Sequence, residues 1–477
     1  LWTDLVLWLL VLAVALYVRH VRRSPNLRAT WRHVTHSAPA MCSAVVLLAF
    51  MAVALLDSIH FRPRLPAVAT ASGEAAAVAY ATRTYSLLDQ LLMHAIASRE
   101  KTYSAPLSYQ SLQKETLIAD GREQRVNPRL AFGGAHLTDP ATQWRADVLT
   151  RSALGIAGGL AVATLLALAV AALRRRDGQS LRASLRELLR GHTDMPWRPM
   201  LVTLALLAAF VGWIAALWPA YHPFGTDRTG NDVLYQALKS IRTAVVIGSL
   251  STVATLPLAI LLGVLAGYFK GWVDDLIQYF YTVLSSIPPV LLIAALVLLI
   301  QVWIDQNPQW FDTGLERAEF RLFLLCLILG LTGWATLCRL LRAETMKIAE
   351  LEYVQAARAF GVSHGQIMRR HILPNVMHLV LIVAVLDFSA LVLYEAVLSY
   401  VGVGVDPSSS SFGSMINLAR SEMARDPAVW WNLASAFVFM LALVLAANLF
   451  ADAVREAFDP RARAVRPRRL HRLKAVS

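Results

Sequence analysis

Long apolar runs set the rhythm of this chain. Nine stretches approach the roughly 20 residues a helix needs to cross a bilayer core. They are Leu1–Val18, Ala38–Leu56, Ser152–Leu173, Leu201–Pro219, Ala244–Gly267, Val283–Ile304, Phe320–Leu337, Leu379–Leu398 and Trp431–Leu449. The pattern predicts an all-α, polytopic membrane protein with about nine transmembrane helices. Leu1–Val18 reads as a span rather than a signal peptide. No basic leading region precedes it, no small-residue cleavage site ends it, and arginines follow it.

The polar stretches between the runs differ in kind. The longest, residues 57–151, begins with the stiff exit Arg62-Pro63-Arg64-Leu65-Pro66. Gly73–Met93 reads as a helix with apolar positions at Leu87, Leu88, Leu91 and Leu92, and Gly121–Pro140 is turn-rich. A small, mostly helical cap is expected, with Asp89 and His94 on its solvated surface. The stretch His222-Pro223-Phe224-Gly225-Thr226-Asp227-Arg228-Thr229-Gly230-Asn231-Asp232 reads as a tight turn leading into a capped helix, lying along the membrane surface. Gly267-Tyr268-Phe269-Lys270-Gly271 is a short turn between spans. Pro288 and Pro289 fall inside a run, where a proline removes a backbone donor and bends the helix. A packing kink and a bend lining a pathway are both open.

The most informative stretch is Glu350–Asn375, a charged helix–glycine–helix pattern between two apolar runs. Glu344–Phe360 has good helix formers and an apolar period at Ile348, Leu351, Val354 and Ala357. Ala356 and Ala357 flatten one face. Gly361 allows a sharp turn, Ser363 caps a second helix running through Ile367 to Arg370, and Pro374 ends that helix before the next span. A short helix on the membrane face fits a groove on a partner, and a rigid glycine turn would pass the partner's motion into the flanking spans.

Composition agrees with the pattern. The chain is 57% hydrophobic and 16% charged, against about 25% charged in soluble domains. Its net charge of +13 is distributed as a topology signal. One arginine cluster holds Arg19, Arg22, Arg23, Arg28 and Arg32, and another holds Arg174, Arg175, Arg176, Arg182, Arg186 and Arg190. The 344–375 loop and the tail beyond Arg461 are also basic. All four fall on one side when nine spans are threaded in order, which puts the N-terminus outside and the C-terminus in the cytoplasm. The arginines hug span ends rather than forming one patch, which argues against nucleic acid as a partner.

Cys42, Cys326 and Cys338 lie in apolar runs without CxxC spacing, so neither a disulfide framework nor a metal site is indicated. No stretch reads GxxxxGK[ST], so any ATP hydrolysis must occur on another polypeptide. Asp387 and Glu395 are eight residues apart in one span, roughly on one helical face. Charges there are costly and face a cavity or a partner. Lining a path remains open for Asp387, whereas Glu395 favours a structural hydrogen bond.

The HPFGTD stretch, GYFKGWVD, the loop ending HILPN, Leu398-Ser399-Tyr400-Val401-Gly402-Val403-Gly404 and the tail Phe458-Asp459-Pro460-Arg461 together resemble the second permease of dipeptide/oligopeptide ABC importers, over about residues 197–463. The resemblance implies a six-helix permease core and an "EAA" loop for ATPase docking. In this sequence the docking residues are Glu352, Gln355, Ala356, Ala357, Gly361, Leu373 and Pro374. It also implies a second homologous permease, two cytoplasmic P-loop ATPases carrying ATP and Mg, an external substrate-binding protein, and a bacterial inner-membrane location. The candidate pathway holds Asp387, Glu395, Pro288 and Pro289. Gln355 stands where the family usually has Glu, and His371 where the broader signature has an apolar residue. On this reading the chain is a transport subunit with no enzymatic site of its own. It has a three-span extension (1–196), the core and a basic tail (464–477). Nickel or another non-peptide solute is the alternative cargo. A ligand-sensing scaffold with a degenerate permease half and a proton-driven secondary transporter are the alternatives from other classes. The scaffold would draw on Gln355, and the transporter would need more buried ionisable groups than Asp387 and Glu395.

Overall fold

The computed structural model describes residues 2–64, 80–81, 84–119, 122–174, 180–190, 195–406 and 408–458. Helices α1 (Trp2–Arg23), α2 (Pro25–His36) and α3 (Ala38–Ser58) open the chain. A cap follows, with β1 (His60–Phe61), β2 (Tyr85–Ser86), α4 (Leu87–Leu91), α5 (Met93–Ala97), β3 (Glu115–Ala119) and β4 (Arg122–Val126). Then come α6 (Pro140–Leu173), α7 (Leu181–Arg190), α8 (Trp197–Leu217), α9 (Val233–Phe269), α10 (Gly271–Ser286) and α11 (Pro289–Gln306). The last elements are α12 (Gly314–Ala349), α13 (Glu352–Ala359), α14 (His364–Ile367), α15 (Leu373–Tyr400), α16 (Phe412–Glu422) and α17 (Trp431–Phe458).

Nine helices among the described residues are long and apolar enough to cross a membrane. Each contains most or all of one apolar run. Several overshoot it: α9 has 37 residues, about 55 Å of helix against a hydrocarbon core of about 30 Å. The excess is at its N-terminal end, where residues 233–243 precede the apolar run Ala244–Gly267.

The centre is the lengthwise pairing of α9 and α12. Small residues set their separation. A Cβ on Gly263 would sit 2.8 Å from the Cys338 carbonyl oxygen, one on Gly267 2.6 Å from that of Arg342, and one on Gly330 2.9 Å from that of Ser251. Close backbone approach of this kind, which a side chain would block, allows the van der Waals packing that drives helix association where lipid removes the hydrophobic incentive. Helices α15 and α17 pack around this pair. α3 lies against α17 and α9, and α1 against α9 and α12. Helices α6 and α8 form a hairpin, closed where Gly155 and Gly159 meet Gly212, and α8 joins it to α3.

The structure corrects several expectations. The cap is not mostly helical: its described part holds two short helices and two antiparallel strand pairs, with His60 opposite Ser86 and Glu115 opposite Val126. Residues 73–79 and 82–83 of the helix expected over Gly73–Met93 lie outside the described residues. Within it, Tyr85–Ser86 is a strand, and helix begins only at Leu87, where Ser86 and Asp89 make a capping box. The proline pair does not bend one helix; α10 stops at Ser286 and α11 starts at Pro289, with Ile287 and Pro288 extended between them. Pro374 does not end a helix either. It sits in the first turn of α15, where its missing N–H costs little. One π turn over Met368–Ile372 joins α14 to α15. The basic tail, 464–477, lies outside the described residues.

A side chain at Gly159 would meet the Ala208 carbonyl oxygen at 2.1 Å, whereas one at Gly158 meets nothing within 4 Å. Gly159→Leu is therefore expected to destabilise the α6–α8 hairpin by about 1–3 kcal/mol, read as a lower midpoint of SDS-induced unfolding, with Gly158→Leu near wild type.

Candidate functional site

The polar loop between α12 and α15 folds as a braced bracket. Helix α12 ends at Ala349, Leu351 is the N-cap of α13, and Phe360 closes it. Gly361 then turns the chain at φ +73°, with open space where a Cβ would be. The position needs glycine for its backbone conformation, not for room. Val354, Ile367, Ile372 and Val376 are fully buried and join Ile348 and Leu341 in one apolar cluster. Val354 and the part-buried Ala357 thus hold α13 down, as the apolar period predicts. Leu351 departs from it: as an N-cap residue it lies off the helical stripe and is 46% exposed.

The GYFKG turn supplies the brace. Lys270, itself at φ +56°, pairs with Glu350. The Tyr268 hydroxyl lies 2.8 Å from His364 Nδ1, and the Arg358 guanidinium sits over the Tyr268 ring at 5.1 Å. Asp274 takes a two-pronged bond from Arg342 at 2.5 and 2.6 Å, tying α10 to α12. Gln355 turns inward, its Nε2 donating to the Glu350 carbonyl and carboxylate at 3.2 Å each. A glutamate at 355 would set two carboxylates against each other there. The amide therefore suits this arrangement and makes its contact within the chain. His371, the other departure, is part-buried beside the Tyr353 ring at 6.1 Å. Glu352 and Ala356 face solvent, Leu373 is half-buried, and Pro374 is exposed. Phe360 (88% exposed) and Tyr353 (45%) stand beside Arg358, Arg369 and Arg370, also exposed. This apolar and cationic surface suits a protein partner.

The opposite end of α9 carries a second joint that local sequence patterns do not reveal. The HPFGTD loop is buried against the cap, with the Thr226 amide donating to the Ser104 carbonyl and the Glu100 amide to the Gly230 carbonyl. His222 Nδ1 is 2.8 Å from Asp232, and Nε2 is 3.7 Å from Glu100 of the cap. Glu100 also accepts from the amides of Ala131, Phe132 and Gly133 at 2.8–3.0 Å. At Gly230, φ is +78° and an added Cβ would lie 1.8 Å from the Glu100 carbonyl oxygen, so this contact requires glycine. Asp232 caps α9 by accepting from the Tyr235 amide, as its position in the sequence implies. Lys239 Nζ lies 2.6 Å from Asp57 and 3.0 Å from Asp89. Asp89 is therefore buried and paired, not solvated surface. Arg242 is held by Asp4 at 2.6 Å and by Glu319 at 2.9 Å.

The candidate pathway residues separate. Glu395 is buried and accepts from the Ser399 hydroxyl at 2.6 Å, where Gly413 of α16 approaches α15. That is a structural joint. Asp387 is half-buried and has no hydrogen bond or ion pair among the described residues. Pro288 and Pro289 are exposed at the α10–α11 break.

Residues 259–464 match the family model described as "Binding-protein-dependent transport system inner membrane component". An oligopeptide transport system permease protein OppC of Haemophilus influenzae is 30% identical over 243 residues, covering 51% of this chain and 71% of the relative. The one from Mycobacterium bovis is 32% identical over 245 residues, covering 51% and 78%. The chain belongs to this family of inner-membrane transport components. A putative peptide permease of Brucella suis, 29% identical over 268 residues, covers 56% of this chain and 80% of its own length. As a permease of this family, the chain places its bracket within the matched segment and all of residues 1–258 ahead of it.

The joint at His222 is titratable. Burial alone would lower the His222 pKa, but Asp232 and Glu100 raise it from 6.5 to about 9. Burial alone would raise that of Glu100, but His222 and three amides bring it from 4.5 to about 2. The histidine's contribution is full below about pH 6.5 and lost as pH rises through about 9; the glutamate's is full above about 4.5 and lost as pH falls through about 2. Protease nicking of the cap is expected to be slowest near pH 5–6 and faster near pH 9–10, with the alkaline rise absent in His222→Gln.

Proposed function

We propose that this permease is the transmembrane subunit of an ATP-driven importer of di- and oligopeptides. In this reading residues 197–463 form half of the translocation pathway, and residues 1–196 are an extension built onto it. The observation that carries the proposal is the bracket at 344–375. It is a short helix held down by Val354, turned by Gly361, braced by Lys270 and Tyr268, and presenting Phe360 and three arginines outward. Such a part has no use in a transporter driven by an ion gradient. It suits a P-loop ATPase that grips and moves it, with ATP and Mg bound on that partner. The peptide cargo rests on what the OppC relatives are named for. The basic loops support a cytoplasmic bracket at a bacterial inner membrane, with the cap outside where a substrate-binding protein would dock. A second homologous permease supplies the other half of the path, on which Asp387 stands unpaired.

Mild-detergent purification of the tagged chain from its native membrane is expected to recover a second permease and P-loop ATPases in stoichiometric amounts. Gly361→Pro should lose the ATPases, because proline holds φ near −65° and removes the amide that bonds the Arg358 carbonyl at 3.0 Å. Recovery of the chain without any ATPase would overturn the reading. Asp387→Asn is expected to cut peptide uptake severalfold with assembly intact; normal uptake would remove Asp387 from the path.

A further inference from the structure

A cavity of about 1010 Å³ lies between the cap and the ends of α9, α12 and α16. Residues before and after position 197 line it together, so the first 196 residues supply one wall. That wall presents Asp57 and Asp89, and the facing walls present Asp227, Glu319 and Glu422. Of the three lysine and arginine side chains on the lining, two are already matched by two carboxylates each: Lys239 by Asp57 and Asp89, and Arg242 by Asp4 and Glu319; His60, also on the lining, lies 2.9 Å from Asp4. Asp227 is satisfied by neutral donors, the hydroxyl of Thr229 and the amides of Asn231 and Gln236. It makes no ion pair among the described residues. Arg228 at the exposed edge is the remaining arginine of the lining. Even with Glu422 left out of the count, four lining carboxylates face three lysine and arginine side chains. A chain of net charge +13 thus lines this cavity with more carboxylates than lysines and arginines. Ser408, Ser409 and Ser410 add hydroxyls along one side, and Leu315 and Leu418 give the cavity an apolar shelf.

The geometry points to a binding site, built jointly by the N-terminal segment and the permease core, for an amine-bearing cationic solute. The ammonium group would lie among the carboxylates, and an attached chain would run over the serines and the shelf. Large concave sites with a few convergent polar groups are where small solutes bind. Low-dielectric walls around excess negative charge concentrate cations. The proposal goes beyond the import reading and does not require peptide as the cargo.

The test uses the complete complex in nanodiscs, with fluorescent trilysine and triglutamate as probes and equilibrium binding as the readout. Trilysine is expected to bind, with salt weakening it, and triglutamate is not. Ser409→Lys puts a cation on the wall without touching any of the ion pairs, and should weaken trilysine by roughly fivefold to tenfold. Leu418→Trp, at a 52% exposed position, fills the shelf and should also weaken it. Equal binding of the two probes, no trilysine binding, or unchanged binding in both variants would overturn the site. Uptake of a neutral tripeptide by the same complex separates the two proposals. Trilysine binding without peptide uptake leaves the site and removes the peptide reading. Peptide uptake with no trilysine binding does the reverse.

Discussion

Charge buried without a partner is what this structure is arranged to avoid. Lys239, Arg242 and His222 sit at the cap end of α9, where a lone cation would cost several kcal/mol to desolvate. Each takes a carboxylate from the first hundred residues: Asp57 and Asp89, Asp4, and Glu100. The N-terminal segment is therefore an integral part of the permease. Removing it would leave Lys239 with neither of its carboxylates, and would take from Arg242 and His222 one carboxylate each, leaving them Glu319 and Asp232. The same constraint explains the position of α1. It packs on α9 and α12 with Asp4 and Thr3 at its start, where Arg242 and Glu319 need them.

The parts that were legible in the sequence are those whose cause is local. A run of apolar residues is a span whatever surrounds it, so all nine appear where hydropathy places them. Gly361, Gly225 and Gly230 have positive φ, as turn chemistry demands, and Asp232 caps the helix it precedes. The sequence was least informative where the cause is distant. Asp89 looks like solvated surface until Lys239, 150 positions away, is brought beside it. The bracing of the loop by Lys270 was hidden for the same reason, although its charge opposite to that of Glu350 was a signal in plain view. Pro288 and Pro374 were misread because a proline in a helical pattern has two solutions. It can interrupt a helix or begin one, and only neighbouring packing decides between them.

Gln355 shows how a departure from a family pattern changes meaning once geometry is known. Read along the chain, it is a charge lost from a docking surface. In three dimensions it is a donor to Glu350, which Lys270 already holds. Polar capacity that a glutamate would offer outward is used inward, and the outward surface is left to Phe360, Tyr353 and the arginines. Of the two acids in α15, one is likewise absorbed by the fold at the α16 contact, which leaves Asp387 without an answering charge among the described residues.

Helix α9 holds both joints. Lys239 and Arg242 fasten it near the cap, and Tyr268 with the following Lys270 engages the bracket at the other end, about 45 Å away along the axis. Anything that binds more tightly when one end is displaced must, by reciprocity of linked equilibria, be felt with equal free energy at the other. Pro257 lies between them and is the proline inside the helix. It breaks one rung of the hydrogen-bond ladder, so α9 transmits force as two arms and an elbow. The angle at that elbow sets how much of a push on Lys270 arrives at Lys239.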